Sequence, residues 1–271
     1  MSEGTAGDRA QLGENPEPRD RARPNAPALA RKTGALLGAE QPSTREGAAP
    51  PASEAELLLR ARGLAGSRLG ELALVTGWPV PVEPVRAKGW AGCLIERALG
   101  ARARSANEPD FPELGIELKT IPLTRDGRPR ESTFVCSVSL REIAETEWAA
   151  AAIRRKLARV LWVPIEADPR LPLGQRRIGT ALLWSPSTAE EAALRADFEQ
   201  LAGMIASGDG ESLTARHGAC LQVRPKGANA RAMRRGVDER GAPVRTPPRA
   251  FYLRACFTAR LFCVSGGTVV R

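Results

Sequence analysis

The sequence predicts a mixed α/β domain, a central β-sheet flanked by helices, preceded by a segment that does not fold by itself. Three observations predict it. Two Ser-x-x-Glu boxes, Ser53 with Glu56 and Ser187 with Glu190, each stand directly before a helical apolar pattern. Short alternating or continuous apolar runs between them read as strands. Residues 1–52 contain no Phe, Trp, Tyr, Ile or Val.

That first stretch is rich in Ala, Pro, Gly, Arg and Glu, with seven basic residues against seven acids. Such a composition cannot bury enough apolar surface to offset chain entropy, so residues 1–52 are expected to be a disordered extension. Its many acids make a transit peptide a poor fit. The folded part opens at Ser53, whose box starts a helix at residue 54. A second helix is expected over residues 67–75, and PVPVEP follows as a linker. KGWAGCLIERALG reads as a helix ending at Gly100, with Trp90, Cys93, Leu94 and Ala98 on its apolar face and Glu96 off that stripe.

GIELKTI has the rhythm of a buried strand. Asp126-Gly127 marks a hairpin turn, and ESTFVCSVS continues with Phe134, Cys136 and Val138 alternating against polar neighbours. TEWAAAAIRRKLARV reads as a basic amphipathic helix, and RVLWVPIE and GTALLWSP as strands. Trp90, Trp162 and Trp184 fall at core positions. The Ser187 box opens a long helix reaching about Ser207, stopped by Gly208. CLQVRPK is another strand, running into a basic loop. No internal repeat is present.

Composition narrows the function. The chain has 271 residues, and its 40 Lys and Arg against 31 acids give a net charge of +9. Because the extension is balanced, that excess belongs to residues 53–271. A polyanionic partner such as nucleic acid explains it, as does a well-solvated basic surface. The five cysteines form no CxxC pair or zinc spacing. Free buried thiols in a reducing cytoplasm are expected. One histidine, His217, removes histidine-cluster metal sites and argues against a Ser-His-Asp triad. There is no apolar run long enough for a membrane span. Hydrolytic chemistry here would rest on carboxylates, lysine and a hard metal.

PDFPELGIELKT, residues 109–120, carries such a set. Glu117 and Lys119 share one strand face, about 7 Å apart along the chain. Asp110 lies seven residues before Glu117, across a Pro and a Gly that can turn the chain back. Two nearby carboxylates disfavour joint ionisation, and a divalent cation reverses that cost. Oxygen ligands select Mg2+, which retains waters and recruits phosphate oxygens. A lysine beside it can orient water or offset charge on a phosphorane-like transition state. An E-x-K pair is common on strands, so spacing by itself leaves a catalytic set and a solvated strand face both open.

The flanking residues add a resemblance. KGWAGCLIERALGA, PDFPELGIELKTIPL, GRPRESTFVC, RRKLARVLWVPIE, RRIGTALLWSP, TARHGACLQVRPKGANA and PPRAFYL, in this order, resemble the MutH-type DNA mismatch-repair endonucleases. The resemblance spans about residues 53–258 and leaves 259–271 as a divergent tail. It implies a restriction-endonuclease-like fold of the PD-(D/E)xK type, with two lobes around a DNA cleft. It further implies Mg2+-dependent nicking of the unmethylated strand 5′ of the G in hemimethylated GATC, with Mn2+ able to substitute. Activation by a MutL partner follows, with MutS acting indirectly, in a cytoplasmic, nucleoid-associated monomer.

Residue by residue, Asp110, Glu117 and Lys119 match the family's catalytic set, and Glu96 its additional active-site acid. Asp110, Glu117 and Glu96 are thereby the implied metal ligands. Lys156 matches a lysine near the cleaved phosphate, and Lys88 a basic residue facing DNA. Arg224 and Lys226 match the loop that reaches GATC in the major groove, where Arg and Lys are the expected readers of guanine. Tyr252 matches the tyrosine associated with sensing adenine methylation. A GATC-cutting restriction endonuclease and a catalytically inactive DNA-binding relative are the alternative functions. The family continues past residue 258 as an amphipathic helix, whereas the Gly266-Gly267 pair and β-branched residues here weaken one.

Overall fold

The computed structural model describes residues 47–264, except 84–86, 88, 104, 106, 139–141, 144, 210–212, 214–215, 227–233, 238–242 and 247. Most of the 1–52 extension, the end of the 259–271 tail and Lys88 therefore lie outside the described residues.

Three helices come first: α1 (Glu54–Gly63), α2 (Leu69–Thr76) and α3 (Trp90–Leu99). Ser53 caps α1 as expected, accepting the Glu56 N–H at 3.2 Å. The Glu56 carboxylate does not complete the box; it accepts the Ala52 N–H and the Arg60 guanidinium instead. Helix α3 ends at Gly100, whose φ of 80° is the left-handed turn that glycine permits. Its buried stripe is Trp90, Leu94, Ile95 and Leu99, while Cys93 and Ala98 are only half-buried. The stripe is turned from the expected one because Ile95 and Leu99, not Cys93 and Ala98, carry the larger apolar area to bury.

Strand β1 (Glu117–Leu123) pairs in parallel with β3 (Val160–Glu166), which pairs antiparallel with β4 (Leu182–Trp184). This mixed sheet separates two apolar clusters. Leu118, Leu161, Val163 and Leu183 face α1, α2 and α3. Ile121, Leu123, Val160, Trp162 and Trp184 face the other cluster. Period-two alternation along each strand sends neighbouring side chains to opposite clusters. Trp162 is fully buried, with Trp184 and Phe262 against it edge-on.

The second cluster is closed by α4 (Ala152–Leu157), α5 (Thr188–Ala206), α6 (Ala255–Val264) and another sheet. That sheet is antiparallel, in the order β2 (Thr133–Ser137), β8 (Arg249–Leu253), β5 (Leu221–Pro225). β6 (Arg234–Val237) and β7 (Pro243–Thr246) pair as a separate hairpin. The single central sheet that was expected is thus divided: β1, β3 and β4 form the mixed sheet, and β2, β8 and β5 form a second one.

Three sequence expectations need correction. The turn at Asp126-Gly127 forms, with Gly127 at φ 77°, and the chain just after it bridges back to β1 from Pro129 to Leu123, but β2 itself belongs to a different sheet from β1. Alternation in β2 is broken by a bulge between Phe134 and Cys136, which buries both Val135 and Cys136. The long basic helix is two short pieces, a 3-10 turn at Trp148–Ala150 and α4, parted by Ala151 in extended conformation. The Ser187 box is complete, its hydroxyl and the Glu190 carboxylate each taking the other's N–H. Helix α6 runs to Val264, so the ARLFCV part of the tail is helical and buries Leu261 and Phe262. Cys136 and Cys220 are buried free thiols, but Cys256 is exposed.

Candidate active site

Local chain geometry brings Asp110 back to β1. After Phe111 the chain makes a 3-10 turn, Pro112–Leu114, and reverses at Gly115 with φ 65°. Phe111 then bonds Ile116 in both directions, at 2.9 and 3.2 Å. This places the Asp110 carboxylate on the Leu118 N–H at 2.8 Å. β1 is the edge of its sheet among the described residues. The Glu117 N–H points inward to Arg159 beside β3, so the next N–H, that of Leu118, points to the free edge. Asp110 occupies that edge. Pro122, further along β1, has no N–H to leave unpaired there.

On the strand face, Glu117 and Lys119 stand together as the two-residue spacing requires. Glu117 is 3% exposed, and both carboxylate oxygens are engaged. Lys119 Nζ donates to Oε1. Lys156 Nζ, from α4, donates to Oε2 at 2.8 Å and to the Glu108 carbonyl at 3.0 Å. Lys156 is a buried lysine.

Glu96 comes to the site from α3. Gly92, one turn earlier, faces β1: a Cβ there would make ordinary contacts, 3.6 Å from Thr120 Oγ1 and 3.8 Å from Glu96 Oε1. Burial, then the negative charge of Asp110, push the Glu96 carboxyl up to about 7, against the pull of Lys119. Burial and the charge of Glu117 also raise Asp110, against its bond to the Leu118 N–H and the two lysines. Three acids thus face two lysines in a desolvated space, and two of the acids hold protons more tightly than free carboxyls do. This donor chemistry fits a hard divalent cation, because a proton stands where added positive charge would lower the energy. No group of three acid, Cys or His side chains is already closed around a point that could hold a metal among the described residues.

A second cluster lies on the face of the β2-β8-β5 sheet turned away from the core. Register sets Phe134 and Gln222 beside Tyr252 across the sheet. The Phe134 and Tyr252 rings meet edge-on, with centroids 5.7 Å apart. The Arg224 guanidinium lies 5.7 Å from the Tyr252 ring centre and Lys226 Nζ 4.3 Å from that of Phe134. Arg224 donates to Ser132 Oγ and Lys226 to Ser137 Oγ, each at 3.0 Å. Arg224, Lys226 and Tyr252, three of the expected DNA-facing residues, are therefore one assembly, and both cations are exposed. Between the two groups lies Cys136. Burial pushes its thiol up to about 11, and Lys156, Lys119 and Lys226 all oppose that rise.

A profile of the family described as DNA mismatch repair enzyme MutH matches residues 99–197, the stretch holding Asp110, Glu117, Lys119 and Lys156. The chain is 50% identical over 210 residues to the DNA mismatch repair protein MutH of Yersinia enterocolitica, covering 78% of this chain and 92% of that one. Its identity to the protein of the same name from Pectobacterium atrosepticum is 52% over 211 residues, covering 78% and 91%. The Serratia proteamaculans protein gives 51% over 212 residues, covering 78% and 93%.

The chain belongs to the MutH family.

Sequence reading missed two residues of this MutH-family chain. In the sequence Phe134 is one of several alternating apolar residues; the register of β2 against β8 reveals that it supports Tyr252 and Lys226. Asp197 is buried on α5, where its carboxylate accepts the N–H groups of Ala219, Cys220 and Leu221 at 2.9, 2.5 and 2.8 Å. That bond set anchors the start of β5, the strand that carries Arg224. Gly218 beside it has φ 81°, and a Cβ there would meet the Leu221 carbonyl at 2.2 Å. A signal for Asp197 existed: it is an acid in phase with Leu194, Leu201 and Ile205 on one helical stripe.

Proposed function

We propose that this chain is the methylation-sensitive endonuclease of DNA mismatch repair, hydrolysing one phosphodiester of the unmethylated strand 5′ of the G in hemimethylated GATC. The observation that carries the reading is the convergence of Asp110, Glu117, Lys119, Lys156 and Glu96 at one strand edge, in a chain half identical to MutH proteins. The restriction-endonuclease-like fold, with two lobes closing on DNA, belongs to the same proposal. So do activation by MutL, the indirect part of MutS, a monomeric state and a cytoplasmic setting. No described helix is long and apolar enough to cross a membrane.

Asp110, Glu117 and Glu96 are the carboxylates that would hold Mg2+, or Mn2+ in its place. A divalent ion held there supplies Lewis acidity at the scissile phosphate. Lys119, fixed on the strand face by Glu117, donates a hydrogen bond that orients the attacking water and offsets charge developing on phosphorus. Lys156 lies close enough to Glu117 to reach the same phosphate. The Asp110 bond to Leu118 N–H fixes one carboxylate oxygen and leaves the other for a ligand.

Arg224 and Lys226 read guanine O6 and N7 in the major groove, their aromatic neighbours limiting the directions in which each cation points. Tyr252, braced by Phe134, meets the adenine whose methylation state decides cleavage. Lys88 contributes a basic contact to DNA.

MutL-dependent nicking of a hemimethylated GATC plasmid tests this directly. Nicked circles are expected with Mg2+ and none with a chelator. Nicking that persists in chelator, or strong double-strand cleavage without MutL, would contradict the reading.

A further inference from the structure

Glu117 is needed as a metal ligand in the proposed reaction, yet both its oxygens carry an ammonium. A divalent cation arriving there meets two positive charges inside a desolvated site, and repulsion between like charges opposes it. One lysine must give way. Lys119 stands on the same strand, two residues along, and shares the Glu117 face whatever else binds. Lys156 reaches across from α4, a six-residue helix, and its other hydrogen bond is to a main-chain carbonyl, that of Glu108.

Lys156 is also buried, so its charge needs an anionic partner at all times. Glu117 is the partner it has. In the proposed reaction the cation also takes Asp110 and Glu96, the other acids that face Lys156, so the anion left to replace Glu117 is a phosphate of the DNA backbone, which binds an ammonium strongly.

We propose that Lys156 is an exchangeable counter-ion, which occupies Glu117 in the free protein and hands that carboxylate to the divalent cation when a DNA phosphate takes the lysine. This rests on the nuclease reading above. It makes metal binding and DNA binding mutually reinforcing, since by linkage each raises the affinity of the other. The free protein is then a weak metal binder, which limits cleavage to DNA-bound enzyme.

The test is Mn2+ binding to the full chain, followed by the paramagnetic resonance of unbound Mn2+. In the absence of DNA, Lys156→Met should bind Mn2+ about tenfold more tightly than wild type, the effect of removing one charged hydrogen bond from Glu117. Lys156→Gln removes the charge but keeps a polar donor in the buried site, so it gives the same answer if Lys156→Met does not fold. A cleavage-resistant hemimethylated GATC duplex should tighten Mn2+ binding by wild type and have a much smaller effect on either variant. Variants that bind Mn2+ no more tightly than wild type without DNA would overturn the exchange, because a lysine with a merely structural role weakens the site when lost. Wild-type nicking in Mg2+ is measured in parallel. Its absence would refute the nuclease reading, whereas intact nicking with unchanged Mn2+ affinity refutes only the exchange.

Discussion

The acid–lysine site at the edge of β1 and the aromatic–basic cluster on the second sheet both gather charge, but under opposite solvent conditions. Glu117 and Lys156 are buried, and Glu96 and Asp110 are desolvated enough to hold their protons more tightly. Arg224 and Lys226 are exposed, each with an aromatic ring beside it. Removing water strengthens every charge–charge interaction, which suits a place where bonds break. A cation held at the surface over an aromatic ring stays largely hydrated and costs little to desolvate. The first region is built to change charge and the second to present it.

The comparison can be broken at its strong end first. Asp110→Ala should lower Mg2+-dependent nicking on the order of a thousandfold or more while leaving GATC binding in a gel-shift assay nearly unchanged. Equal loss of both would make Asp110 a structural cap of the β1 edge. Next in size is the anchor of β5, the strand that carries Arg224. Asp197→Ala leaves three N–H groups, two of them buried, without their acceptor and should cost about 3 kcal/mol in urea unfolding. An unchanged unfolding midpoint would mean that β5 is held elsewhere.

Lys226→Ala should cost about 2 kcal/mol of discrimination between GATC and a site with its G replaced, measured as a ratio of binding constants. An undiminished preference for GATC removes Lys226 from the reading set. The smallest effect concerns stability and pH. The Glu96 carboxyl stands at about 7 in the folded protein against 4.5 for a free one. Between those values the folded state keeps a proton that the unfolded chain has released, so metal-free stability falls as pH rises through that window. Glu96→Gln removes the penalty. In thermal melts without divalent ions it should gain about 1–2 kcal/mol over wild type at about pH 8, and nothing at about pH 4. A gain at both would place the effect in packing instead of charge.

How much of this was legible in the sequence follows the same division. Asp110, Glu117 and Lys119 lie within ten residues, and the two-residue spacing on a strand fixes which of them share a face. The fold-back of Asp110 was legible in Pro112 and Gly115. Glu96 and Lys156 arrive from other elements and had no local signal; the family resemblance supplied them. Helix starts at Ser53 and Ser187 were readable because capping is local chemistry. The bulge in β2 and the break at Ala151 were not, because both answer to packing against distant strands. The Phe134–Tyr252–Arg224–Lys226 group spans three strands that are far apart in the chain, and no spacing rule connects them.

Mapping the nick on both strands of a hemimethylated plasmid, by end-labelled sequencing after incubation with the protein, MutL and Mg2+, tests the central claim most directly. A single break 5′ of the G in the unmethylated GATC strand, and none in a fully methylated plasmid, is the expected result. Breaks on both strands, or at positions unrelated to GATC, would contradict the account.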